Sequence, residues 1–199
     1  MEINNLTVEQ FLERLTEFVH SPRTNHIAYV NIDCMNIAQV DKNYARILRE
    51  ADLVYPDGMG VVFASWIFGQ PLRERVNAGD LLPEFCRLCV ERGYKLFLLG
   101  GEPGIAEKAA ENLVHGIQFS IVGTRHGYFE EKDSPTLIEE INASGAHILL
   151  VGMGAPRQEV WIRRHKEALS VPVAWGVGAL FDYYAEKFRA PPSGCARSA

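Results

Sequence analysis

The sequence predicts an α/β domain: a doubly wound, largely parallel sheet with helices on both faces, in the Rossmann-like manner. Two observations carry this. Six short apolar runs, "HIAYVNI", "DLVY", "KLFLLG", "QFSIVG", "HILLVGMG" and "VPVAWGVG", recur along the chain, and segments of helical periodicity separate them. Parallel strands require crossovers, and crossovers lay helices on both faces.

The elements follow in order from local signals. Thr7 with Gln10 three residues on is a capping-box start for a first helix. "HIAYVNI" and "DLVY" are the first two strands, and "LLPEFCRLCVERG" has the spacing of a helix with Cys86 and Cys89 on its apolar side. That Cys pair has no second pair to complete a zinc site, so both read as buried free thiols. Ser134 followed by Pro135, and Pro156 followed by "RQEVWIRRHKEAL", mark two later helix starts. The body contains no repeat and no low-complexity tract.

At 199 residues, with 47% apolar and 23% charged content, the chain suits one domain, expected over residues 1–190 with 191–199 a short disordered tail. A net charge of −5 argues against nucleic acid as a partner. No apolar run approaches the roughly 20 residues of a membrane span, and the N-terminus lacks signal-peptide features, so a cytoplasmic protein is expected.

Four apolar runs end in glycine-rich turns, "YPDGMG", "FLLGGEPG", "LLVGMGAP" and "AWGVGALFD", each near an expected helix start. The glycines Gly100, Gly101, Gly152, Gly154, Gly176 and Gly178 either make tight turns or let the backbone approach an anionic ligand. In an open α/β sheet these turns share the carboxyl edge, where ligands bind. None completes G-x-G-x-x-G, because Phe63, Arg157 and Phe181 take the last position. Asp57, in "YPDGMG", is either a helix cap or a general base at the crevice mouth. Arg75 offers a fork of donors suited to a diphosphate, or sits in a solvated charged loop. Gln158, in the first turn after Pro156, is expected to face the crevice, with Arg157 and Glu159 projecting elsewhere; Asn31 ends the first apolar run and could reach the same edge. The dispersed histidines, with no H-E-x-x-H, give metal catalysis little support, and no G-x-S-x-G elbow supports acyl transfer.

Taken together and in this order, "VNIDCMN", "ADLVYPDGMGVVFAS", "ERVNAGDLL", "FLLGGEPGIAEKAAENL", "VGTRHGYF", "LLVGMGAPRQEVWI" and "GVGALFDYYAEKFRAP" resemble the WecG/TagA/CpsF family of bacterial glycosyltransferases, over about Asn31 to Pro191. The resemblance implies inverting, metal-independent transfer of a sugar such as N-acetylmannosamine from a UDP donor. The acceptor would be a polyprenyl-diphosphate-linked saccharide at the cytoplasmic membrane face, in teichoic acid or surface polysaccharide synthesis, with no cofactor. It implies Asp57 as the base, Asn31, Arg75 and Gln158 in the substrate pocket, and Tyr128 and Asp182 near the nucleotide. A homo-oligomer is compatible with it.

The sequence departs from the family pattern in three places. Tyr29 stands where a Thr is common, "RVNAGD" has Ala78 in a glycine's place, and "PSGCARSA" follows R-A-P where the family continues with a basic amphipathic tail. The last departure implies weakened membrane attachment and acceptor binding. Two alternatives stay open at this stage: a UDP-sugar-binding module with weak catalysis, and a nucleotide-cofactor oxidoreductase using the same crevice.

Overall fold

The structure is a computed structural model that describes residues 3–114 and 119–187. The expected tail at 191–199, Cys195 within it, and His115 lie outside the described residues.

The elements in chain order are α1 (Val8–Val19), β1 (Asn25–Val30), α2 (Ile32–Val40), α3 (Lys42–Glu50), β2 (Leu53–Pro56), α4 (Met59–Ile67), α5 (Ala78–Arg92), β3 (Lys95–Gly100), α6 (Ile105–Val114), β4 (Ser120–Arg125), α7 (Ser134–Ala143), β5 (Ile148–Gly152), α8 (Arg157–His165), β6 (Val173–Gly176) and α9 (Leu180–Lys187). All six expected strands form, in one parallel sheet of order β2-β1-β6-β5-β3-β4. Their apolar runs are unbroken because β1, β5 and β6 are buried at every position, with helices against both faces.

One face carries Leu96, Leu98, Ile148, Leu150 and Trp175, packed with Phe11 of α1 and Phe85 of α5. The other carries Phe97, Leu99, Leu149 and Val151, packed with Ile138 of α7 and Trp161 and Ile162 of α8. Strand alternation produces this division: neighbouring residues on β3 and β5 serve opposite cores.

Caps fix the helix boundaries. The Thr7 hydroxyl accepts from Gln10 N at 3.3 Å and Gln10 Oε1 accepts from Thr7 N at 3.1 Å, the reciprocal pair that the sequence predicts. Ser134 lies inside α7 rather than before it, and its buried hydroxyl accepts from Trp161 Nε1 at 3.2 Å. The outer edge of β2 is covered locally: Asn4 N donates to Val54 O, and Val54 N donates to Asn4 Oδ1, both at 2.8 Å. Cys34, Cys86 and Cys89 are free and buried, and burial pushes the Cys86 thiol up to about 12.

The topology sets where a ligand can enter. From β3 the chain passes through α6 outward to β4; from the adjacent β5 it passes through α8 the other way to β6. The carboxyl ends of β3 and β5 therefore flank a switch point, where diverging connections leave a crevice.

Candidate active site

The crevice at that switch point is built from glycines in mutual contact. Gly100 has φ +154°, and a Cβ there would lie 2.2 Å from Gly152 O. A Cβ on Gly152 would lie 2.9 Å from Gly178 O, and one on Gly127 would lie 3.2 Å from Gly100 Cα. Backbone bonds tie the same loops: Gly101 N donates to Gly152 O at 3.0 Å, and Gly127 N donates to Gly101 O at 2.8 Å. Close packing thus explains Gly100 and Gly152. Gly154 is different: it has φ +75° and its missing Cβ would meet nothing within 4 Å.

A cavity of about 280 Å³ opens over these turns, and its lining includes Gly101, Tyr128, Gly152, Gly154, Gly178 and Asp182. Six sequence candidates from four separate loops are therefore brought together. The first turns of α6, α8 and α9 follow the loops around it, with free N–H groups that favour an anion. Asp182, in the first turn of α9, is exposed, as is Tyr128.

Arg157, which the sequence reading turns away, is also in the lining. Its Nη2 donates to Gly127 O at 2.5 Å, and its guanidinium lies 5.8 Å from the ring centres of both Tyr128 and Phe129. Gln158 is instead fully buried. Its Oε1 accepts from Gly178 N at 3.1 Å, and its Nε2 donates to Glu159 Oε1 at 2.7 Å. The first turn of α8 lies against the sheet face, so Gln158 reaches beneath the β6 turn and Arg157 is left at the mouth. Gly176 serves that packing rather than the lining, since a Cβ there would lie 2.7 Å from Gln158 Nε2. Glu159 is fully buried, its Oε2 has no partner among the described residues, and burial pushes its carboxyl up to about 7 against the opposing Gln158 bond.

Asp57 stands at the end of β2, with its backbone N donating to Val30 O at 2.8 Å. It is half-buried and is not a helix cap: Gly58, at φ +109°, precedes α4 with no side-chain capping bond. Its Oδ1 accepts from Asn77 Nδ2 at 2.6 Å. Asn77 Oδ1 in turn accepts from Gly79 N at 2.9 Å and Asp80 N at 3.2 Å, capping α5. Both ends of this amide are therefore committed, and Asp57 Oδ2 is left with no partner among the described residues. Burial raises the Asp57 carboxyl above its ordinary value, against the Asn77 bond and the Arg75 charge, while Asp80 adds to the rise.

The sequence reading does not single out Asn77. Its role as a cap is readable from Asn before an acidic first turn, but the bond to a residue 20 positions earlier is not.

Asn31 caps α2, its Oδ1 accepting from Cys34 N at 2.9 Å, which leaves Nδ2 without a described partner. Arg75 pairs with Asp80 at the surface and lines a separate recess with Asn77 and Glu74, not the glycine cavity. Asp57 and the cavity are two strand positions apart at β6, roughly 10 Å along the sheet edge. Tyr29 fills that interval: its hydroxyl lies 2.7 Å from the point where a Gly178 Cβ would sit, and burial holds it far above its ordinary value, with the Asp57 charge among the lesser causes.

Among the described residues, no group of three or more His, Cys, Asp and Glu is gathered to hold a metal ion, and no helix is long and apolar enough to cross a membrane.

N-acetylglucosaminyldiphosphoundecaprenol N-acetyl-beta-D-mannosaminyltransferases of Staphylococcus aureus, from strains NCTC 8325 and COL among others, are 30% identical over 194 residues, 96% of this chain and 76% of each relative. The family model described as "Glycosyl transferase WecG/TagA/CpsF family" matches residues 1–198, and the chain belongs to that family.

Proposed function

We propose that this protein transfers N-acetylmannosamine, or a closely related sugar, from a UDP donor to an N-acetylglucosaminyl-diphosphopolyprenol acceptor, without a metal ion, at the inner face of the cell membrane. The observation that carries the reading is Asp57, a carboxylate held by Asn77 with one oxygen left over, on the same sheet edge as the glycine cavity. The activity named for the Staphylococcus aureus relatives supports the choice of sugar and acceptor.

In this reading the acceptor hydroxyl attacks the anomeric carbon as the bond from that carbon to the UDP oxygen breaks. Asp57 Oδ2 takes the hydroxyl proton, and a single displacement inverts the anomeric centre. The cavity holds the diphosphate. Helix N-termini and Arg157 supply the positive potential there, and Asp182 and Tyr128, in the same lining, would take the ribose and base. The raised carboxyl makes Asp57 a stronger base than an exposed aspartate.

Two measurements test this. UDP, and not NAD, should raise the unfolding temperature. UDP release from UDP-N-acetylmannosamine should require the lipid-linked acceptor; stabilisation by NAD alone would instead favour an oxidoreductase, and UDP binding without transfer a binding module.

A further inference from the structure

The helix that follows Asp57 is apolar all round, "MGVVFASWI", with no charged residue, yet only Val61 of its nine residues is buried. Such helices are normally enclosed on every side. Here Phe63, Trp66 and Ile67 are each about two-thirds exposed (67%, 67% and 69%), and Phe68 just beyond is 82% exposed. Between α4 and α2 runs a groove of about 500 Å³, with Ile32, Met35, Val61, Ala64, Phe68 and Leu72 in its lining. One end of this surface meets the candidate site directly. Ile32 follows Asn31, and its Cγ1 lies 2.6 Å from where a Cβ of Gly60 would sit, so α2 and α4 touch beside the Asn31 and Asp57 turns.

We propose that the α2–α4 groove seats the isoprenoid chain of the lipid-linked acceptor, so that α4 is a rail leading from the base to the lipid. This rests on the glycosyl-transfer reading above and deepens it. An acceptor whose reactive hydroxyl is at Asp57 carries its diphosphate and then its isoprene units away from the glycine cavity. The apolar groove begins at that end of the sheet edge. The lining is mostly apolar around an open channel rather than a flat face, with Asn36, Gln39, Ser65 and Gln70 also in it, and so suits an apolar, flexible occupant. A second copy of the chain or a bilayer surface would cover the outer residues Phe63, Trp66 and Ile67 without needing the channel.

Occupancy is read by titration calorimetry; Trp66, outside the channel lining and exposed while Trp161 and Trp175 are 5% and 0% exposed, reports instead whether the outer face is covered. The probes are inorganic diphosphate, geranyl diphosphate and farnesyl diphosphate, added to the whole protein below their aggregation limits. The proposal predicts saturable binding of farnesyl diphosphate, at least tenfold tighter than geranyl diphosphate, given roughly fourfold per buried methylene. Diphosphate alone should bind wild type and Ala64→Arg alike. Ala64→Arg and Phe68→Ser should each weaken farnesyl binding at least tenfold while UDP binding and the unfolding temperature stay as in wild type. Chain-length-independent binding would overturn the proposal. So would the absence of farnesyl binding together with a blue shift of Trp66 emission from phosphatidylglycerol vesicles, which assigns the face to a bilayer, or from raising protein concentration, which assigns it to a second copy. The two readings fail separately. Farnesyl binding in the groove without UDP release from any donor would remove the transferase reading and leave an isoprenoid site. Equal transfer to short-chain and long-chain acceptors, unaffected by Ala64→Arg, would remove the groove and leave the transferase.

Discussion

Asn77 holds Asp57 through its amide nitrogen at 2.6 Å while the amide oxygen caps the helix that follows. A single side chain thus ties the candidate base to a helix start 20 residues later, and it selects which carboxylate oxygen remains available.

Asn77→Ser separates these two duties, because serine caps a helix well but cannot reach Asp57 with an amide donor. Stability should change by less than about 1 kcal/mol. Turnover should fall roughly tenfold or more, since a hydrogen bond to a charged group contributes about 1.5–3 kcal/mol. The Asn77 bond favours the ionised carboxylate, so its loss should move the acid limb of the kcat/KM profile to higher pH. A profile that keeps its acid limb would show that Asn77 acts only as a cap.

Arg157 and Arg75 should behave differently. Arg157 lines the cavity, so Arg157→Ala should weaken UDP binding about tenfold or more by titration calorimetry. Arg75 makes a surface pair with Asp80, which contributes little to stability. Arg75→Ala should therefore unfold like wild type, while loss of its charge beside Asp57 moves the acid limb of the kcat/KM profile to higher pH; an unmoved limb would take Arg75 out of the site.

The glycines divide by cause. Gly100→Ala drives a methyl into Gly152 O and should lower stability by about 3 kcal/mol or more, read by chemical denaturation. Gly154→Ala meets no atom and pays only for its positive φ, about 1 kcal/mol, yet it places a methyl at the cavity and should weaken UDP binding. Equal losses of stability in the two would contradict this division.

Glu159 predicts a pH dependence of folding. Its carboxyl is pushed up to about 7 in the folded state, from an ordinary 4.5. Between those values the folded protein binds the proton that the unfolded chain releases. Stability from this group is therefore present below pH 4.5, declines as pH rises, and levels off above 7. The decline is on the order of 3 kcal/mol. The stability difference between wild type and Glu159→Gln should follow this curve; a difference independent of pH would sink it.

How much of this is legible in the sequence differs by element. The strands are, because runs such as Ile148–Gly152 are buried on both faces and carry no polar interruption. The convergence of Gly101, Gly152 and Gly178 is also legible, because parallel strands put all their carboxyl ends on one edge. The roles of Arg157 and Gln158 are not. Helical periodicity gives the angle between neighbouring residues, but only the docking of α8 on the sheet decides which of them meets the crevice. The Asn77 bond to Asp57 depends on where α5 begins relative to β2, a tertiary distance that no local pattern encodes. The apolar letters of α4 do not tell which way they face, and only the fold leaves Trp66 and Phe68 at the surface.

The central claim is that Asp57 removes the proton from the attacking hydroxyl. Its most direct test is single-turnover UDP release from UDP-N-acetylmannosamine with N-acetylglucosaminyl-diphosphopolyprenol, comparing wild type with Asp57→Asn, which can still accept the Asn77 bond. The account predicts a rate lower by about 10²–10⁴-fold with UDP affinity unchanged; a rate within a few-fold of wild type would contradict it.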